Sequence, residues 1–250
     1  MCLVAFAWRA HPAWQLVLGA NRDEFYDRPS APAAWWGEPA GVLAGRDLRA
    51  GGTWLGVTRA GRFAAITNYR DPGDTRAAAR SRGELPVAFL AGDGPAAEFA
   101  QQAWTLREAY NGFNLLLGDG EELWYAGSRD PNGPRRVEPG VHALSNALLD
   151  TPWPKAARSG ERLAEALAQV DPEPNVLALL ADRELAPDDA LPDTGVGHEW
   201  ERALSPPFIA TERYGTRSST YLAIGTGRTR FIEREFARGG IVRATREYDW

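Results

Sequence analysis

The chain has 250 residues, 44% of them hydrophobic and 24% charged, with a formal net charge of −5. That length carries a sizeable core, and the mild acidity argues against non-specific nucleic-acid binding, which depends on neutralising phosphates with basic side chains. A single cysteine excludes an internal disulfide and with it a stapled, secreted scaffold.

In chain order, residues 2–8 (CLVAFAW) are a short apolar run, which predicts a strand covered on both faces. His11-Pro12 marks a turn, and 14–20 (WQLVLGA) predicts the returning strand. Residues 21–39, rich in Pro, Ala, aromatic and charged residues, read as a long ordered loop of the kind that carries function. A short strand is expected at 41–45, a polar turn at 46–52, and a hairpin from 53–59 and 62–68. A second loop, 69–82, carries an Asp-Pro-Gly turn signal.

Helical spacing appears at 84–91 and 95–110, where Phe99, Ala103, Leu106 and Tyr110 fall on one face. Strands follow at 112–118, 121–126 and 140–146, then helices at 155–169 and 174–182 and a Pro/Asp/Gly-rich loop at 186–198. A strand around 206–211 opens the last block, before a hairpin (217–225 and 228–237) and a terminal strand at 241–247. Strands alternating in blocks with helices, without repeats or linkers, predict one α+β domain over 1–250. Residues 2–8 lack the basic flank of a signal peptide, and no apolar run reaches the ~18 residues of a membrane span. The expected location is the cytoplasm.

Cys2 directly follows Met1. Removal of Met1 would put a thiol and an α-amine on one residue. The amine titrates near ~7.7–8.0 and the thiol near ~8.5, so an unprotonated base stands beside a nucleophile it can activate. The alternative is a small apolar side chain opening a buried strand. Four polar stretches at strand ends could complete such a site: 21–24, 67–69, 144–146 and 214–218. A carboxylate can hold an α-ammonium, an asparagine can donate into an oxyanion hole, and an arginine can bind an anion or tune a thiolate. The competing role for each is turn capping or a local ion pair.

The stretch Gly19-Ala20-Asn21-Arg22-Asp23-Glu24-Phe25, with Met1-Cys2 before it and Thr67-Asn68-Tyr69 after it, resembles the NRDE family, also called the transport and Golgi organisation family. More distantly the chain is similar to cysteine N-terminal-nucleophile (Ntn) hydrolases such as bile-salt hydrolases and penicillin V acylases. That resemblance implies a four-layer αββα sandwich of antiparallel sheets flanked by helices, with Cys2 as nucleophile. It implies Asp23 on the α-amine, Asn146 and Asn68 at the oxyanion, and Arg217 as the late arginine. The arginine that precedes the asparagine in those enzymes is Ala20 here, and Arg22 comes two residues later.

Two functions follow as expectations. One is a cysteine amidohydrolase acting on non-peptide C–N amide bonds, requiring no cofactor. The other is a non-catalytic carrier of haem or an acyl-CoA. For the carrier, Asn21, Arg22, Asp23 and Glu24 would shape the mouth of the cleft, and Trp35 and Trp36 would line it. His11, His142, His198 and Cys2 are the residue types that ligate haem iron. In both cases the partner is a small molecule, with no nucleic acid and no metal centre.

Overall fold

The computed structural model describes residues 2–74 and 80–250. In chain order the strands of the first half are β1 (Cys2–Trp8), β2 (Leu16–Phe25), β3 (Ser30–Trp35), β4 (Val42–Asp47), β5 (Leu55–Thr58) and β6 (Phe63–Asn68). Helices α1 (Glu84–Ala91) and α2 (Ala96–Thr105) follow, then β7 (Phe113–Gly118), β8 (Leu123–Gly127), β9 (Arg135–Arg136) and β10 (Gly140–Leu144). The remainder comprises α3 (Pro154–Leu167), α4 (Glu173–Leu180), α5 (His198–Ala203), β11 (Tyr214–Gly225), β12 (Arg228–Phe236) and β13 (Val242–Asp249).

The chain forms two compact units, residues 28–138 and the discontinuous pair 1–27 with 139–250. In the discontinuous unit, six antiparallel strands run in the order β10-β1-β2-β11-β12-β13. Helix α3 covers β1 and β10, and α4 covers β2 and β11. Ala5, Ala7, Val17 and Tyr221 from the sheet meet Leu163, Val176 and Leu180 from the helices in one core. Gly19 allows that closeness: a Cβ there would stand 2.7 Å from Val176 Cγ1. In the 28–138 unit, seven antiparallel strands run β3 through β9 in sequence order, with α1 and α2 packed on the middle of the sheet. This is the expected α+β class, and each unit supplies one helix layer and one antiparallel sheet layer.

Four local expectations change. Residues 21–25 continue β2 instead of opening a loop, because β2 has a partner on each side, β1 and β11, as far as Arg22, and β11 alone carries the pairing on to Phe25. Residues 30–35 form β3, an edge strand paired only with β4, where Pro32 breaks no ladder on its free side. Residues 206–211 make a single isolated bridge, at Ala210, in place of a strand; Phe208 and Ile209 are buried there without a ladder. The short helix α5 was not expected. Of the expected loop at 69–82, residues 75–79 lie outside the described residues. Among the described residues no helix is long and apolar enough to cross a membrane, which leaves strands aside.

Candidate functional site

Four neighbouring strands, β10, β1, β2 and β11, bring three of the four predicted polar stretches to one rim of the six-stranded sheet. Cys2 opens β1 and pairs across the ladder with Arg22 on β2. Arg22 in turn faces Ser218 on β11, and Asp23 faces Thr216. Between those two pairs the register slips by one residue, so Arg217 is the extra residue of a β-bulge. Bulges re-aim side chains, and here Arg217 Nη1 donates to the Phe25 carbonyl at 2.9 Å. On the other side of β1, Val4 faces Leu144 of β10; carried two residues further, that register sets Asn146 level with Cys2. The Ser145 hydroxyl lies 3.3 Å from the Cys2 carbonyl and 3.2 Å from Asn146 Oδ1, which fixes Asn146 against the start of β1.

Asp23 is the most firmly held of these groups. It is 1% exposed. The Thr216 hydroxyl donates to its Oδ1 at 2.7 Å, and the Tyr214 hydroxyl donates to its backbone carbonyl at 2.8 Å. Burial pushes its carboxyl above the usual range, opposed first by the positive charge of Lys155 and then by Thr216 and Arg22. Cys2 is half-buried. Desolvation pushes its thiol up, and the Asp23 carboxylate adds to the rise, while the Asp23 backbone N–H and the Arg22 guanidinium act the other way. The thiol is therefore not a pre-formed thiolate of the kind found in electropositive redox sites. It needs a base.

The arginines also influence each other. Arg22 is buried and reaches the Glu24 carboxylate at 4.0 Å. Burial lowers the Arg217 guanidinium from its ordinary value, and repulsion from Arg22 and Arg243 adds to that. Two buried or half-buried cations close enough to repel each other suit an anionic group on a bound molecule.

Asn21 does different work. Its Nδ2 donates to the carbonyls of Leu180 (2.8 Å) and Pro207 (2.9 Å), and its Oδ1 accepts from the Ser219 hydroxyl at 2.6 Å. It thereby caps the end of α4 and ties β2 to the 206–209 segment and β11. Asn21→Ala is expected to destabilise the fold by about 2–4 kcal/mol, because two buried carbonyls lose their donors. Chemical unfolding checks this, and an unchanged midpoint would contradict the structural role.

Asn68, Trp35 and Trp36 lie in the 28–138 unit, and the three histidines in the discontinuous one. Asn68 ends β6 opposite Phe113 and is half-buried. Trp36 belongs to that unit's core and donates its Nε1–H to the Ala44 carbonyl at 2.9 Å. Trp35 carries the Arg59 guanidinium on its ring face at 4.1 Å. Each histidine has a local contact: His142 bonds to Asp150 at 2.8 Å and stacks on Phe6, His11 accepts from the Ala13 N–H, and His198 lies 3.8 Å from Asp188. The 28–138 unit holds a cavity of about 780 Å³, walled by Leu85, Val87, Phe99 and Leu106, with Arg80, Glu84 and Tyr110 at its polar side. Tyr110 donates to Glu84 at 2.8 Å, and burial followed by that bond pushes its hydroxyl up to about 12.

Comparison with known proteins places the chain. The family model described as Transport and Golgi organisation 2 matches residues 1–238. The chain belongs to that family. The Transport and Golgi organization 2 homolog of Mus musculus is 36% identical over 94% of this chain and 92% of its own length. The homologs of Bos taurus and Homo sapiens are 38% and 36% identical over the same shares.

In this member of the Transport and Golgi organisation 2 family, two site residues escape sequence reasoning. Thr216 lies in the polar stretch 214–218 but has no role of its own in the sequence, and only the β2–β11 register shows that it faces Asp23. Lys155 is the only lysine in a chain rich in arginine. That singularity was its one signal, and nothing local tied it to chemistry.

Proposed function

We propose that the chain is a cytoplasmic cysteine amidohydrolase that cleaves non-peptide C–N amide bonds through Cys2. The observation that supports this reading most is the placement of Asp23, buried on the strand next to Cys2 and held by Thr216 and Tyr214. In the reaction, Met1 is removed and the α-amine of Cys2 takes the thiol proton. The thiolate attacks the amide carbonyl, and the Asn146 side-chain N–H steadies the oxyanion of the tetrahedral intermediate. Asp23 holds the α-ammonium, which returns its proton to the leaving nitrogen as the C–N bond breaks. Water, deprotonated by the α-amine, then cleaves the thioester, releases the acid and restores the thiol. Arg22 and Arg217 bind an anionic group of the substrate, while Asn68 has its oxyanion role only through the family resemblance.

The cavity in the 28–138 unit favours a second reading, a small-molecule carrier. Its volume and mostly apolar walls fit ligand sites in general, but Asn21–Glu24, Trp35 and Trp36, the residues expected to form the cleft for haem or an acyl-CoA, are not among its walls. One experiment separates the two. The processed protein is incubated with a panel of N-acyl amides, and in parallel titrated with haem and with acyl-CoA. Stoichiometric acid and amine, with a transient acyl adduct on Cys2, support the hydrolase. Saturable binding with no product from any amide supports the carrier.

A further inference from the structure

Thr216, Ser218 and Ser219 of β11 each bring a hydroxyl to the rim where Cys2 lies, and two of the three are committed. The Thr216 hydroxyl donates to Asp23 Oδ1 at 2.7 Å, and the Ser219 hydroxyl donates to Asn21 Oδ1 at 2.6 Å. Ser218 differs. It is 6% exposed, and its Oγ has no hydrogen-bond partner among the described residues. A buried hydroxyl in that state costs stability, and a group on a bound molecule is one way to satisfy it. The sheet register sets the direction of the side chain. Ala5, Val17, Tyr221 and Ile232 turn toward the helices α3 and α4. Each stands an odd number of residues along its strand from Cys2, Arg22, Ser218 and Glu235 respectively, so these four share the opposite face. They also pair directly across the ladders, in one row from β1 to β12. Ser218 stands two strands from Cys2, about 10 Å away.

Cations surround that hydroxyl. Arg22 is buried directly opposite Ser218, Arg217 precedes it in the bulge, and the two guanidiniums repel each other. On the other side, Glu235 is engaged by Arg246 at 3.3 Å and lies 3.9 Å from Arg243. Cys2 in the same row and Arg217 are only half-buried, so the row opens at this rim. We propose that Ser218 is a specificity residue of the Cys2 site: its hydroxyl donates to a carboxylate of the substrate, which Arg22 and Arg217 hold beside it. The substrate class narrows to amides that carry a carboxylate on one of their two halves, within about two strand spacings of the scissile carbonyl. This rests on the amidohydrolase reading for what happens at Cys2, whereas the carboxylate seat needs no turnover.

The test uses two pairs of amides, each with a carboxylate in one member and a carboxamide in its twin. N-octanoylglycine and N-octanoylglycinamide carry the group on the amine half; N-octylsuccinamic acid and N-octylsuccinamide carry it on the acyl half. Calorimetric titration of Cys2→Ala protein, which lacks the nucleophile, should show the acid binding more tightly than its twin in one pair, and that pair identifies the half. Adding Ser218→Ala should cut the preference roughly tenfold, the scale of a hydrogen bond to a charged group. Equal binding of the twins in both pairs, no binding of any probe, or a preference that survives Ser218→Ala overturns the seat. Ser218→Ala alone should leave the thermal midpoint unchanged or raise it, because the hydroxyl has no bond in the fold to lose. A lowered midpoint reveals a partner within the protein and overturns the proposal as well. Acid preference without product from wild type keeps the seat and removes the hydrolase, whereas product without acid preference does the reverse.

Discussion

Cys2→Ala is expected to lose amide turnover on the order of a millionfold in kcat, the scale on which removal of a nucleophile acts when the rest of a site stays assembled. The fold should be nearly untouched. The change deletes one sulfur atom from a half-buried residue at the first position of β1, worth below about 1 kcal/mol of burial. The ladder that holds Arg22 and Asp23 beside it uses backbone groups that alanine retains. The same reasoning fixes the pH behaviour of the native thiol. Burial raises its pKa, so at neutral pH less thiolate is present than for a free cysteine. Its alkylation by iodoacetamide should inflect at a higher pH than that of a free thiol. An inflection well below it would mean a pre-formed thiolate and no need for an amine base. Turnover surviving in Cys2→Ala would remove the cysteine from the chemistry altogether.

Asp23→Asn is expected to do two opposite things: abolish most of the activity and raise the stability at neutral pH. The activity falls because an amide carries no charge to hold the α-ammonium, a loss of about 10²–10⁴-fold for a misplaced acid–base partner. The stability rises for a reason of sign. The folded-state pKa of Asp23 lies above its unfolded value because burial disfavours the charge, and the attraction of Lys155 is already included in that rise. As pH increases through the unfolded value near ~3.9, the unfolded chain releases this proton first and gains free energy relative to the fold. The penalty is complete once pH exceeds the folded value. Asparagine escapes it at every pH, and its carbonyl oxygen still accepts the Thr216 hydroxyl. The stability difference between variant and wild type should therefore grow from strongly acidic pH toward neutrality. Thermal midpoints across that range check it, and a wild type more stable than the variant at neutral pH would contradict the buried, strained carboxylate. Such an exchange of stability for activity is what a functional site imposes.

Much of the fold could be read from alternation alone. The hairpin of β5 and β6 and that of β11 and β12 carry clear strand patterns around glycine turns, and their pairing is as expected. The β2 extension could not be read that way. Asn21, Arg22 and Asp23 look like loop residues by polarity, yet all three are buried in mid-sheet. Their polarity serves capping and the site instead of solvent. The segment at 206–211 failed for the converse reason: its apolar residues are buried by packing, without a ladder. For the site, the Met1-Cys2 start and the Asn21–Glu24 tetrad were visible because they are local. The bulge at Arg217 and the Thr216 bond depend on register, which arises between elements far apart in sequence.

The amidohydrolase mechanism requires a free α-amine on Cys2, and the intact mass of protein expressed without an N-terminal tag measures that directly. The expected mass is lower than that of the full sequence by one methionine residue, with Cys2 first in the mature chain. A folded, homogeneous protein that retains Met1 would deprive the thiol of its base and contradict the amidohydrolase mechanism.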